Sequence, residues 1–215
     1  MTQSARQPHR QPHRRADPQP AFVIRHGIPA HLRAEAVELY WQAFGPKLNK
    51  VLGPHPRARA FLTRVMRTDN AFAAVDDHGR LLGIAGYRTP EGSFAGGTLA
   101  DLRAIYGRAG AKWRAALLLR LAHAVDERHF LVDGVSVRAP MRGCGIGSAL
   151  IDALCTEGRA QGFSIARLEV VDSNLRARAL YERLGFTAIG SQPIGLLRHV
   201  FGFHAATSMI RPLNG

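Results

Sequence analysis

Apolar positions recur along this chain with two different periods, and the switching between them predicts a mixed α/β domain. AFVIRH (21–26) is an apolar run of strand length. Residues 31–44 follow, with Leu32, Ala36, Leu39, Tyr40 and Ala43 at helical spacing. The spacing predicts a second helix over 56–66, with Phe61, Leu62 and Val65 on its apolar side. AFAAVD and RLLGIAGY are then two apolar runs separated by DHG, a turn sequence that predicts a β-hairpin. The order to this point is strand, helix, helix, strand, strand.

Residues 89–130 open with the glycine-rich EGSFAGG and continue with helical signals in TLADLRAIYG and AKWRAALLLRLAHAV, which predicts a helical insert behind a flexible loop. On a helical projection Trp113, Leu117, Leu118, Leu121, Ala124 and Val125 cover a wide sector, with Leu119 outside it. That is more apolar surface than one stripe requires. The insert therefore packs over the domain's own sheet, walls a pocket, or meets a second subunit in a homodimer. Beyond it come a strand, FLVDGVSV, a glycine-rich turn, a helix to about Gln161 with Gly162 as its C-cap, a strand, IARLEVVD, a helix, NLRARALYERLG, and two closing strands in FTAIGS and AATSMIR.

Length and composition fit one folded domain over 21–215: 215 residues and 46% hydrophobic content support a proper core. The first 20 residues, which repeat QPHR, hold four arginines and one aspartate and almost nothing that could enter a core, so a disordered basic tail is expected there. The formal charge of +13 asks for an anionic partner, and +10 of it lies outside the tail. A polyphosphate ligand, nucleic acid or an acidic surface would each satisfy it. No apolar run reaches the roughly 20 residues of a membrane span, the N-terminus lacks a signal-peptide core, and two cysteines form no disulfide framework. A reducing cytoplasm is the expected compartment. The ten histidines show no metal-ligand spacing, so no metal is expected.

The densest chemical signal is VSVRAPMRGCGIGSAL (135–150). Glycines 143, 145 and 147 let a backbone turn tightly and bring its N–H groups close to a ligand, and a helix N-terminus there attracts negative charge. A plain strand-to-helix turn would use the same residues. A dinucleotide loop is disfavoured, because RAPMR separates the glycines from the strand and about 70 residues remain where several strand-helix units are needed. A phosphate loop of the Walker type is excluded by the missing Lys-Ser or Lys-Thr.

With its arginine included, the stretch resembles the signature of the GNAT superfamily of acyl-CoA-dependent N-acetyltransferases, a strand followed by R/Q-x-x-G-x-G/A, here Arg142, Gly145 and Gly147. A second signature, N-x-x-A-x-x-x-Y-x-x-x-G-F, is met by Asn174, Ala177, Tyr181, Gly185 and Phe186. The resemblance is strong over residues 131–190 and extends to 21–87 in element order. It implies an α/β fold with an open mixed sheet, interrupted here by a helical insert between the third and fourth strands. It also implies acetyl-CoA as acyl donor and a primary amine of a small molecule or peptide as acceptor.

What the resemblance implies for individual residues is specific. The pyrophosphate of coenzyme A would lie against the backbone of Arg142, Gly143, Cys144, Gly145, Ile146 and Gly147, the pantetheine arm along Val135, Ser136 and Val137, and Asn174 and Ala177 would border the cofactor from the next strand and helix. A strand N–H near Val137 would polarise the thioester. Tyr181 matches the proton donor to the departing thiolate, although it also falls on the apolar face formed with Ala177, Leu180 and Leu184. Glu169 in LEVVDSN is the first candidate base, at a spacing similar to that of ribosomal-protein alanine N-acetyltransferases, and Asp133 is the alternative. Each carboxylate could equally serve in an ion pair. Downstream, SQPIGLLRHVFGFH departs from that branch, which puts a protein acceptor in doubt. Arg176 and Arg178 read first as a solvated helix face and second as phosphate contacts. A non-catalytic acyl-CoA-binding or nucleic-acid-associated module is the rival to the enzyme.

Overall fold

The computed structural model describes residues 21–121 and 128–214, with the side chains of 120 and 121 excepted. The expected tail over 1–20, and Leu121, Ala124 and Val125 of the helical projection, lie outside what is described. Eight strands form one sheet: β1 (Phe22–His26), β2 (Ala71–Asp76), β3 (Leu81–Thr89), β4 (Gly92–Ser93), β5 (Phe130–Val137), β6 (Ile165–Val171), β7 (Thr187–Pro193) and β8 (Ala205–Pro212). They run in the order β1-β2-β3-β5-β6-β8-β7, with β4 attached to β3. All pairings are antiparallel except β5 with β6.

Both faces of the sheet are covered at β2 and β3, which is why these strands read as continuous apolar runs. Ala71, Ala73 and Val75 face helices α1 (Arg33–Leu52) and α2 (His55–Val65), whereas Phe72 and Ala74 face α4 (Ile146–Ala160). The α4 face also receives Ala177 and Tyr181 from α5 (Leu175–Arg183). Helix α3 (Leu99–Leu121) follows β4 and packs with α2 through Leu102, Tyr106 and Ala111. It breaks at Gly107, whose φ is +71°, so the two helical signals of the sequence become two segments.

Two elements depart from the sequence expectation. The first helix runs past Phe44 to Leu52, through Pro46, because its last turns bury Val51 and Leu52. Tertiary burial there offsets the roughly 3 kcal/mol that an interior proline costs a helix. The glycine-rich 91–97 segment is pinned rather than free. Phe94 is fully buried over Gly86, donates its N–H to Tyr87, and accepts one from Arg67.

Candidate active site

The sheet opens at its centre. Strands β5 and β6 pair only at Phe130 with Ala166 and at Leu131 with Arg167, and beyond those two pairs they separate. A cavity of about 970 Å³ occupies the opening and extends beneath α1, lined by Asp133, Val135, Glu169, Asn174, Ala177 and Tyr181 among others.

A β-bulge decides what β5 presents to this cavity. The register with β3 passes from Gly86–Gly134 to Tyr87–Val132, leaving Asp133 as the extra residue. Before the bulge Phe130 and Val132 pack toward α4, and after it Val135 and Val137 do so. Asp133, Gly134 and Ser136 therefore share the face toward α1. There Ser136 Oγ donates to the Leu39 carbonyl at 3.1 Å, and Gly134 lies so close to α1 that a Cβ on it would sit 2.8 Å from Phe44 Cζ. Ser136 thus spends its hydroxyl on α1.

The N–H directions follow from the same strand geometry. Arg138 N–H donates to Leu82 of β3, so by alternation Ser136 also points its N–H to β3, and Val135 and Val137 point theirs to the opposite edge. That edge is the one from which β6 has parted. The Val137 carbonyl on this edge takes a bond from Arg142 Nε at 3.3 Å.

At the mouth of the opening stands the glycine turn. Gly143 and Gly145 have φ of +91° and +81°, the left-handed region that a side chain disfavours, and Gly145 caps α4 with no side-chain bond. The first backbone bond into this helix comes from Ala149 to Gly145, so the N–H groups of residues 143–148 have no backbone acceptor among the described residues. Such donors at a helix N-terminus carry the partial positive charge that attracts an anion. Cys144 is a partly exposed free thiol in this turn, and buried Ile146 anchors the turn in the core. Gly147 packs on α5, where a Cβ would meet Leu180 Cδ2 at 3.2 Å. Arg176 Nη2 reaches within 3.9 Å of the place a Gly143 Cβ would occupy, and no carboxylate engages it among the described residues. Arg178 instead pairs with Glu182 at 2.9 Å, so of the two arginines only Arg176 is available to the turn.

The two candidate bases lie on one face of the sheet and the candidate acid on the other. Glu169 and Val171 point to the α1 side of β6, where Val171 packs near Phe201 and Phe203, whereas Leu168 and Val170 join the α4 cluster with Tyr181. Asp133 is engaged at both oxygens: Oδ1 by Arg88 Nη2 at 3.0 Å, Oδ2 by Ser93 Oγ at 2.8 Å and the Ala95 N–H at 3.2 Å. Glu169 is engaged at Oε1 alone, by Arg167 at 3.0 Å and Ser208 Oγ at 2.5 Å. Its Oε2 takes no bond from the described residues. Asn174 spends Oδ1 on capping α5, accepting from the Ala177 N–H at 3.2 Å, which leaves its amide nitrogen for a ligand. Tyr181 is buried, and desolvation pushes its phenol pKa up to about 12. Its hydroxyl makes no hydrogen bond to the described residues.

The sequence model of the acetyltransferase (GNAT) family matches residues 33–186, which span both strands of the opening, the glycine turn and α5. The chain belongs to the GNAT acetyltransferase family. As a GNAT N-acetyltransferase it shares its fold with solved structures of low identity. A histone acetyltransferase HPA2 and related acetyltransferase from Corynebacterium glutamicum superposes with a TM-score of 0.61 at 22% identity, covering 90% of this chain and 96% of that one. A GCN5-related N-acetyltransferase from Kribbella flavida gives 0.58 at 18%, covering 89% and 98%. The ribosomal-protein-S18-alanine N-acetyltransferase from Escherichia coli gives 0.54 at 17%, covering 91% and 96%. No curated protein sequence matches. The α/β class and mixed sheet expected from the two motifs are those of this GNAT chain.

Several cavity residues of the enzyme were not singled out from the sequence. Arg88 and Ser93 hold Asp133, Arg167 and Ser208 hold Glu169, and Tyr40 lines the cavity as a fully buried phenol whose pKa is raised by desolvation and then by Asp133. Lys47 lines it as well. Its sequence signal was available: Tyr40, Phe44, Lys47, Leu48 and Val51 follow a helical apolar spacing with one lysine in it. Among the described residues no cluster of His, Cys, Asp and Glu could hold a metal, and no helix is long and apolar enough to cross a membrane.

Proposed function

We propose that the enzyme transfers an acetyl group from acetyl-CoA to a primary amine by direct attack. The observation that carries this reading is the parting of β5 from β6 after two residue pairs, with a glycine turn at its mouth whose N–H groups have no backbone acceptor among the described residues. Acetyl-CoA has the matching chemistry: a polar, amide-bearing arm for a strand edge and a pyrophosphate for residues 143–148, with Arg176 beside it. The N–H of Val137 or Val135 would donate to the thioester carbonyl and stabilise the oxyanion that forms there.

Glu169 takes the proton of the acceptor ammonium on its free Oε2. The amine then attacks the carbonyl carbon, a C–N bond forms, and the C–S bond breaks. Tyr181, protonated far above neutral pH, gives its proton to the departing sulfur, and the second amine proton returns to the phenol through solvent. Placement of Glu169 and Tyr181 on opposite faces of the sheet supports this division, since amine and thiolate lie on opposite sides of the reacting carbon. Both cysteines are free thiols, in keeping with a reducing cytoplasm as the proposed compartment.

Calorimetry with acetyl-CoA and thiol release across an amine panel test the proposal. Binding with thiol release dependent on an amine supports it. Absence of acetyl-CoA binding, together with salt-dependent affinity for nucleic acid, would return the chain to the non-catalytic reading.

A further inference from the structure

Five charged side chains line the cavity: Lys47, Arg88, Asp133, Arg167 and Glu169. Four of them cancel in pairs, Arg88 with Asp133 at 3.0 Å and Arg167 with Glu169 at 3.0 Å. Lys47 is left over, because its ammonium makes no ion pair or hydrogen bond among the described residues. It lies on α1, half-buried, in the turn after Phe44, whose ring covers Gly134. Burial holds its pKa below the ordinary lysine value, and Asp172 compensates only in part. Asp172 is itself occupied, accepting the N–H groups of His204 and Ala205.

The rest of the wall on this side is apolar. Leu48, Val171, Ile194, Phe201, Phe203 and Ala206 form it, and Leu102, Ala115 and Leu118 close the far end beneath α3. Such a chamber discriminates by charge. A second cation on the acceptor would meet Lys47 and find no unpaired carboxylate, whereas an anion would gain a charge-assisted hydrogen bond in partly desolvated surroundings. An apolar body would fill the remainder of the space.

Resting on the acetyl-transfer reading above, we propose that the acceptor is an amino carboxylate with a large apolar group, that its ammonium faces Glu169, and that Lys47 binds its carboxylate. Polyamines and other polycationic amines are poor acceptors on this account. Lys47 is a specificity residue and takes no part in the proton transfers.

The experiment measures thiol release from acetyl-CoA for phenylalanine, tryptophan and 4-(aminomethyl)benzoate, against their decarboxylated counterparts phenethylamine, tryptamine and benzylamine, with spermidine as the polycation. At least one carboxylate is expected to exceed its decarboxylated counterpart about tenfold or more in kcat/KM, mainly through KM, which corresponds to one charge-assisted contact. In Lys47→Gln that preference falls toward unity, and Lys47→Arg restores most of it; thermal unfolding of both variants checks that they are folded. Equal or better turnover of the decarboxylated amines or of spermidine overturns the inference while leaving acetyl transfer intact. So does a preference for carboxylates that survives in Lys47→Gln. Failure of every amine to release thiol, with acetyl-CoA bound in calorimetry, overturns the transfer reading and this inference with it.

Discussion

Arg88 and Asp133 meet at 3.0 Å across neighbouring strands, with Asp133 the extra residue of a bulge and Arg88 near the end of β3. The contact fixes the carboxylate as a brace: Ser93 and Ala95 occupy its second oxygen, so it ties β3, the segment after β4, and β5 together. Accepting a proton would remove the charge on which the Arg88 bond draws. Asp133→Asn is therefore expected to lower stability by about 1–3 kcal/mol in denaturant unfolding, the range for losing a partner of a partly buried charge-assisted bond. Glu169→Gln is expected to lower kcat by about 10²–10⁴-fold, the range for losing a general base, with acetyl-CoA affinity little changed. If folded Asp133→Asn loses turnover and Glu169→Gln keeps it, the two roles are exchanged.

Tyr181→Phe should lower kcat by about 10²–10⁴-fold with little change in acetyl-CoA affinity, the range for losing a general acid. The pH dependence of stability follows from the raised phenol pKa of about 12. Between the unfolded value near 10 and this folded value, the unfolded chain has released the proton and the folded chain still holds it. Stability is fully present below pH 10 and falls as pH rises through that window. Tyr181→Phe should make the alkaline decline shallower in a series of unfolding midpoints without abolishing it, because the phenols of Tyr40, Tyr87 and Tyr106 are also raised by burial; an unchanged slope would exclude Tyr181 as a source.

Gly145→Val and Gly147→Val are both expected to weaken acetyl-CoA binding, for different reasons. At Gly145 the space is open, and the penalty comes from φ of +81°. At Gly147 the backbone is ordinary helix, and the new side chain presses on Leu180. Gly145→Asn, which tolerates the left-handed region, should recover part of the affinity, whereas Gly147→Ala should lose least of the position-147 series. Calorimetry on folded variants decides; affinity unchanged in both valine variants would argue against the turn as the phosphate site.

Gly86→Ala tests the packing that pins the 91–97 segment. An added Cβ would lie 2.1 Å from Phe94 Cδ1, far inside contact distance, and Phe94 is fully buried with no room to retreat. Overpacking of this kind costs about 1–3 kcal/mol. Thermal unfolding should show the loss, and release of Phe94 should loosen the 91–97 segment that positions Ser93 and Ala95 against Asp133.

The glycine turn and the Asn174-to-Phe186 motif were legible in the sequence because backbone requirements leave few alternatives there. Positive φ at 143 and 145, and a cap at 174, are local demands met by local residues. The bulge at Asp133 was not legible, since FLVDGVSV reads as an uninterrupted strand and the extra residue shows only against the register of β3. The continuation of α1 through Pro46 was hidden for a similar reason: the propensity to stop is local, and the burial of Val51 and Leu52 that overrides it depends on other elements, Phe201 and Phe203 for Val51 and Phe61, Leu102 and Tyr106 for Leu52. Lys47 was lost with that turn of helix.

The short β5–β6 pairing has one further consequence. Two pairs of residues are all that join β1, β2, β3 and β5 to the group β6, β8 and β7 through the sheet ladder. The second group is tightly laddered within itself, with seven residue pairs between β6 and β8. The ladder is therefore thinnest at this seam, which is bridged mainly by the core cluster on the α4 side, and local opening of the sheet's centre should begin there. A ligand seated there would act as mortar across the seam and suppress that opening. Amide protons on β5 and β6 would register its arrival before any change at β1 or β7.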